Sequence, residues 1–179
     1  MKKLFFILGL MICLFSFGSG AVLAQETIRD KDLTISKIGV LVGNKQYKSA
    51  MKQCNDALKI YPEEYFLYYW RAAIYNAQGN KKLALNDYNK AISLAPDNAK
   101  LYVMRGICKY NLKDEKGALE DYNKAIELEE NNSSAYSMRA MIKLDNGDFD
   151  GADKDLEKAN SLINSENAAI KNDKNDKKE

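Results

Sequence analysis

The chain has 179 residues, with 27 lysines and arginines against 25 aspartates and glutamates, two prolines, three cysteines and no histidine. The missing histidine removes the commonest general base, the usual catalytic triads and the commonest metal ligand. Near balance of charge argues against a general attraction to nucleic acid or anionic lipid, and the length suits one domain.

Met1 to Ala24 opens on Lys2 and Lys3, runs through an uncharged apolar stretch from Leu4 to Phe17 and reaches Val22-Leu23-Ala24, with small residues suited to a signal peptidase just before Gln25. The pattern predicts an export signal at 1–24 and a short lead at 25–30. An uncleaved anchor is the alternative, because Leu4 to Ala24 is just long enough to span a bilayer. A lipoprotein signal ending at Cys13 fits less well, since bulky Ile12 stands where a small residue is expected. Loss of Lys2 and Lys3 leaves 25 basic and 25 acidic residues, a formal charge of zero. The expected location is outside the cytoplasm, periplasmic or envelope-associated in a Gram-negative source, with membrane contact only through an uncleaved signal.

From Lys31 the chain repeats itself. The word DYNKAI stands at 87–92 and again at 121–126, 34 residues apart, and other columns keep that period. Repeats at 31–64, 65–98, 99–132 and 133–166 align Ala50, Ala84, Ala118 and Ala152 in one column, and Ala57, Ala91, Ala125 and Ala159 in another. Tyr68, Tyr102 and Tyr136 form a third column, and Pro62 and Pro96 stand near the end of the first two repeats, where a proline stops a helix. Within a repeat, apolar residues such as Ala84, Leu85, Tyr88, Ala91 and Ile92 recur at helical spacing, while Ala77-Gln78-Gly79-Asn80 and Asp145-Asn146-Gly147-Asp148 are turn chemistry. Each repeat therefore reads as helix, tight turn, helix. The two alanine columns, with Ala72, Gly106 and Ala140, let the paired helices approach closely. One such hairpin cannot bury its own apolar face, so neighbours must stack.

These residues carry a resemblance. The 34-residue period, paired helices, small contact residues, second-helix aromatics Tyr88 and Tyr122 and terminal prolines make the chain similar to tetratricopeptide-repeat proteins over roughly three quarters of its length. Departures are Cys54 and Leu156 in the aromatic column, and Glu130 and Asn164 in place of the proline. The resemblance implies an all-α, right-handed α-solenoid of four helix-turn-helix units that binds another protein or a peptide and holds no cofactor. It also implies that one side of each first helix lines a concave groove. Ile35, Phe66, Tyr69, Trp70, Val103, Ile107, Tyr110 and Met141 are its expected peptide-binding residues, with Lys100 the main charge there. Relatives that clamp acidic chaperone C-termini use lysines, an arginine and asparagines where this chain has Ile35, Gly39, Trp70 and Met104, so that clamp is not expected. For Trp70, Met104 and Met138 the competing role is packing between first helices.

Arg71, Arg105 and Arg139 share a column, and the same three repeats carry Asp87, Asp121 and Asp155; the first repeat has Lys37 and Gln53 instead. Joint presence and joint absence point to a structural ion pair inside each repeat, bridging its helices. Cys54 and Cys108 lie in different repeats, too far apart for the ~7 Å limit of a disulfide, and read as small buried apolar residues. In the second-helix columns Met51, Leu85, Leu119 and Leu58, Ile92, Ile126 the fourth repeat has Asp153 and Asn160, a polar end that caps the array. The remainder, 167–179, reads as a disordered polar tail. The expected function is an exported, non-catalytic interaction scaffold for an apolar or amphipathic peptide segment, without catalytic residues, cofactor, metal or nucleic acid. The alternatives are a self-associating structural subunit and, further off, an enzyme with an unusual carboxylate site.

Overall fold

The computed structural model describes residues 29–176, with side chains to residue 170. The expected export signal at 1–24, most of the lead, and 177–179 of the tail lie outside the described residues. All regular structure among the described residues is helical, and it divides after Pro62 into two compact bodies.

The N-terminal body holds α1, over 29–43, and α2, Tyr47–Ile60. Helix α1 already includes Arg29 and Asp30, which shortens the expected lead, and Thr34 Oγ1 donates to the Asp30 carbonyl at 2.8 Å. Ile38, Ala50, Cys54 and Ala57 are its buried residues. Both alanine columns thus begin here.

The C-terminal body contains α3 (Tyr65–Ala77), α4 (Lys81–Leu94), α5 (Ala99–Asn111), α6 (Glu115–Leu128), α7 (Ser133–Asp145) and α8 (Phe149–Asp176). Helices α3/α4, α5/α6 and α7/α8 form hairpins, and α4 packs on α5 as α6 packs on α7, so the repeats stack in chain order. Burial follows the repeat: Ala84, Ala91, Ala118, Ala125, Ala152 and Ala159 are all buried. Tyr88 and Tyr122 fill the space that these small residues leave. Gly106 shows how tight the fit is, since a Cβ there would stand 2.5 Å from Tyr122 Cε1. Ala118→Leu would overpack the same interface.

Each hairpin turn places one residue in the left-handed region, and all four belong to one column of the repeat: Lys45 (φ 57°), Gly79 (78°), Lys113 (68°) and Gly147 (76°). The next N–H reaches back five residues, as in Asn80 to Tyr75, Asp114 to Lys109 and Asp148 to Lys143 (2.8, 3.0 and 2.9 Å). This closes the first helix with a Schellman motif. Asp114 and Asp148 then cap the second helices, accepting from Gly117 N and Gly151 N at 2.9 and 3.0 Å. Pro96 follows Ala95, the C-cap of α4, and Pro62 follows Tyr61, the C-cap of α2.

Two sequence expectations change at the end of the chain. The tail expected to be disordered from 167 is helical through Asp176, because α8 runs on without interruption. Nothing after Leu162 stops it: Ala168, Ala169 and Ile170 extend a formed helix, and extension is far cheaper than nucleation. The polar end cap is also incomplete. Asp153 and Asn160 are exposed as expected of a cap, but Leu156, in the column of buried Tyr88 and Tyr122, is exposed too. Helices α5 and α7 cover those tyrosines; no helix among the described residues covers Leu156 in the same way.

The left-handed column sets a test. Lys113→Gly should raise stability by about 1 kcal/mol, and Gly147→Ala should lower it by a similar amount. Urea unfolding midpoints measure both, and a Lys113→Gly variant no more stable than the wild type would contradict the strain.

Candidate functional site

Three arginines organise the C-terminal body. Arg71 Nε and Nη2 donate to Asp87 Oδ2 and Oδ1 at 2.7 and 2.8 Å, joining the two helices of one repeat. Arg105 grips Asp121 in the same two-pronged way (2.9 and 2.6 Å), and Arg139 grips Asp155 (2.8 and 2.6 Å). The expected pairs are therefore joined within each repeat. Each guanidinium also lies over the tyrosine three residues earlier, with 5.5, 5.4 and 5.4 Å to the rings of Tyr68, Tyr102 and Tyr136.

Further contacts were not read from the sequence. Arg105 Nη1 donates to Asn89 Oδ1 at 2.9 Å, and Arg139 Nη1 to Asn123 Oδ1 at 2.7 Å. These bonds run to the preceding repeat. Lys109 and Lys143, one turn after Arg105 and Arg139, approach Asp121 and Asp155 at 3.0 and 2.9 Å. Both lysines also donate to carbonyls, of Gly117 and Gly151. The signal was a column, Tyr75, Lys109 and Lys143, that resembles an ordinary solvated face.

The three carboxylates are almost wholly buried, so each needs its partners. Burial pushes the Asp155 carboxyl up, but hydrogen bonds from Arg139 and Lys143 outweigh it and hold the group below its usual range. The arginine pKa values move up, mainly because of the same hydrogen bonds. Burial also drives the Tyr88 and Tyr122 phenols upward, and their hydroxyls have no hydrogen-bond partner among the described residues.

The expected groove residues divide by burial. Tyr69 (7% exposed) and Val103 (5%) belong to the core, against Tyr88 and against Ala125 and Ala135 respectively. They are corrected from groove to core: their column turns toward the second helices. Phe66 and Met141 are exposed, while Trp70, Ile107 and Tyr110 are half-buried, with Met104, Met138 and exposed Leu144 completing the face. Trp70 and Met104 pack against one core cluster, Met138 against another, so each has a packing role beneath its exposed part. Lys100 Nζ lies 5.2 Å from the Tyr69 ring, and Tyr110 donates to Asp145, tying α5 to α7. Ile35 is half-buried in the N-terminal body. Cys54 and Cys108 are buried, the latter donating to the Lys81 carbonyl at 3.2 Å.

The tetratricopeptide repeat family matches residues 65–98, 99–132 and 133–166, together more than half of the chain. No curated protein sequence matches. Among solved structures, MamA is 17% identical with a TM-score of 0.69, covering 77% of this chain and 81% of its own. YrrB, described as a TPR protein with an unusual peptide-binding site, is 23% identical (TM-score 0.61; 72% and 66% covered). The first TPR of Spaghetti (RPAP3), bound to the HSP90 peptide SRMEEVD, is 24% identical (TM-score 0.61; 65% and 93% covered). At these identities the similarity establishes the fold.

The depressed carboxyl of Asp155 gives a pH signature. Its contribution is fully present above the ordinary aspartate pKa of about 3.9 and is lost as pH falls through its lower folded value. Asp155→Asn should be less stable than the wild type at neutral pH, and the gap should narrow below about pH 4. Thermal unfolding across that range checks it; a gap that stayed constant would mean the carboxylate charge contributes nothing.

Proposed function

The chain belongs to the tetratricopeptide repeat family, and from that premise we propose that it is an exported, non-catalytic adaptor whose α3, α5 and α7 together hold an apolar or amphipathic segment of another protein. One observation carries this reading: Phe66, Trp70, Met104, Ile107, Met138, Met141 and Leu144 present a partly exposed apolar strip along successive first helices. Aromatic anchors beside adaptable methionines suit such a segment. The strip is poor in charge because Arg71, Arg105 and Arg139 are engaged elsewhere. Peptide binding by YrrB and by the first TPR of Spaghetti supports the class of ligand. The acidic peptide of the latter is a poor guide to its chemistry here, given Trp70 and Met104. Export rests on the pattern of residues 1–24, and an envelope-associated assembly would follow from it.

Crosslinking in intact cells, followed by mass spectrometry, identifies the segment bound. Phe66→Ala and Met141→Ala should then each weaken its capture by about tenfold, with the melting temperature little changed. Capture should persist in moderate salt. Tyr69→Ala should instead destabilise the fold by ~3 to 5 kcal/mol, as loss of a large core side chain does. Capture indifferent to both surface variants, or abolished by moderate salt, would overturn the reading. N-terminal sequencing should give Gln25 as the first residue, and Met1 in a membrane fraction would replace export with anchoring.

A further inference from the structure

Sulfur is unevenly placed in this chain. Of the four methionines among the described residues, Met104, Met138 and Met141 lie on the first-helix strip, and half-buried Met51, in α2, lies elsewhere. Met104 packs against the core cluster that holds Tyr88 and Leu101, and Met138 against the one that holds Tyr122 and Ile142, so both are partly shielded. Met141 is 36% exposed and stands between Met138 and Leu144 on one face of α7, three residues from each. The two cysteines are withdrawn from solvent. Cys54 and Cys108 are both 0% exposed, and burial pushes the Cys108 thiol up, away from the reactive thiolate. Met141 is therefore the sulfur that a small oxidant in solution meets first.

We propose that Met141 is an oxidation switch on the partner strip: conversion to its sulfoxide releases the bound segment, and reduction restores capture. The switch rests on the strip being the surface that holds the partner. Its chemistry is a two-electron oxygen transfer. The thioether sulfur attacks one oxygen of hydrogen peroxide, an S–O bond forms as the O–O bond breaks, and the other oxygen leaves as water. A methionine sulfoxide reductase reverses the step: two thiols close to a disulfide, the sulfoxide oxygen leaves as water and the thioether returns.

The effect on binding follows from what surrounds the sulfur. A thioether is a soft apolar contact, whereas a sulfoxide oxygen is an acceptor that needs a donor once water is excluded. The donors of this region are already engaged. Arg139 and Lys143, two residues to either side of Met141, are held by Asp155, and the Tyr110 hydroxyl donates to Asp145. Met138 and Leu144, the strip residues beside it on α7, offer none. An apolar segment laid on the strip would bury the new oxygen unpaired, which weakens binding by about tenfold or more. Because Met141 is exposed and not part of the core, its oxidation leaves the array folded.

Peptide mapping of the purified chain after brief exposure to hydrogen peroxide should find Met141 oxidised before Met104 and Met138, with both cysteines unmodified and helicity unchanged. In intact cells, a pulse of peroxide before crosslinking should lower the yield of the crosslinked adduct by about tenfold. Met141→Leu has no thioether to oxidise at this position, so its adduct yield, whatever its starting level, should not change with the same pulse. Met141→Gln, which places an amide oxygen in the strip, should give the low yield without peroxide. A wild type whose yield is unmoved although Met141 is oxidised, or a Met141→Leu variant that loses yield as the wild type does, would overturn the switch. Either result leaves the strip standing if Phe66→Ala still weakens capture; Phe66→Ala and Met141→Ala both without effect would remove strip and switch together.

Discussion

The arginine fork at Arg71, Arg105 and Arg139 is the interaction on which the C-terminal body depends. A guanidinium is planar, permanently charged and rigid, so it can satisfy a buried carboxylate in two parallel bonds while its face rests on an aromatic ring. In the second and third of these forks the remaining nitrogen reaches an asparagine of the preceding repeat, Asn89 or Asn123. One side chain therefore closes its own hairpin and registers that hairpin on its neighbour. The repeated word DYNKAI has a physical reading in these terms. Asp87 takes the arginine of its own repeat, Tyr88 fills the core, and Asn89 takes the arginine of the next. Asp121, Tyr122 and Asn123 do the same one period later.

The fork also decides where charge is absent. A buried carboxylate must be paired, and the pairing draws Arg105, Lys109, Arg139 and Lys143 toward the second helices. The opposite side of the first helices is left to Trp70, Met104, Ile107 and Met141. The apolar strip and the charged network are thus two consequences of one distribution.

Periodic features were the legible part of the sequence. The alanine columns and the arginine and aspartate columns repeat without exception over the repeats that carry them, so the period alone exposes them. Features that depend on angle within a turn of helix were not legible. Tyr69 and Trp70 are adjacent in sequence, yet about 100° apart around α3, and that rotation puts Tyr69 in the core. The left-handed residue of each turn was recognisable where it is Gly79 or Gly147 and hidden where it is Lys113. Lys109 and Lys143 looked like ordinary surface charges because their role requires a carboxylate from the other helix. The continuation of α8 is hidden by its polar composition, which does not end a helix that meets no stop signal.

Coupling between neighbouring repeats through the arginine is most directly measured by a double-mutant cycle on Asn123→Ala and Arg139→Lys, read by equilibrium unfolding. The bond from Arg139 Nη1 to Asn123 Oδ1 spans 2.7 Å between the third and fourth repeats. A coupling energy of at least about 0.5 kcal/mol is expected for partners in one hydrogen-bonded network. Strict additivity of the two substitutions would show that the arginine closes its own hairpin alone, and that apolar packing by itself holds the repeats in register.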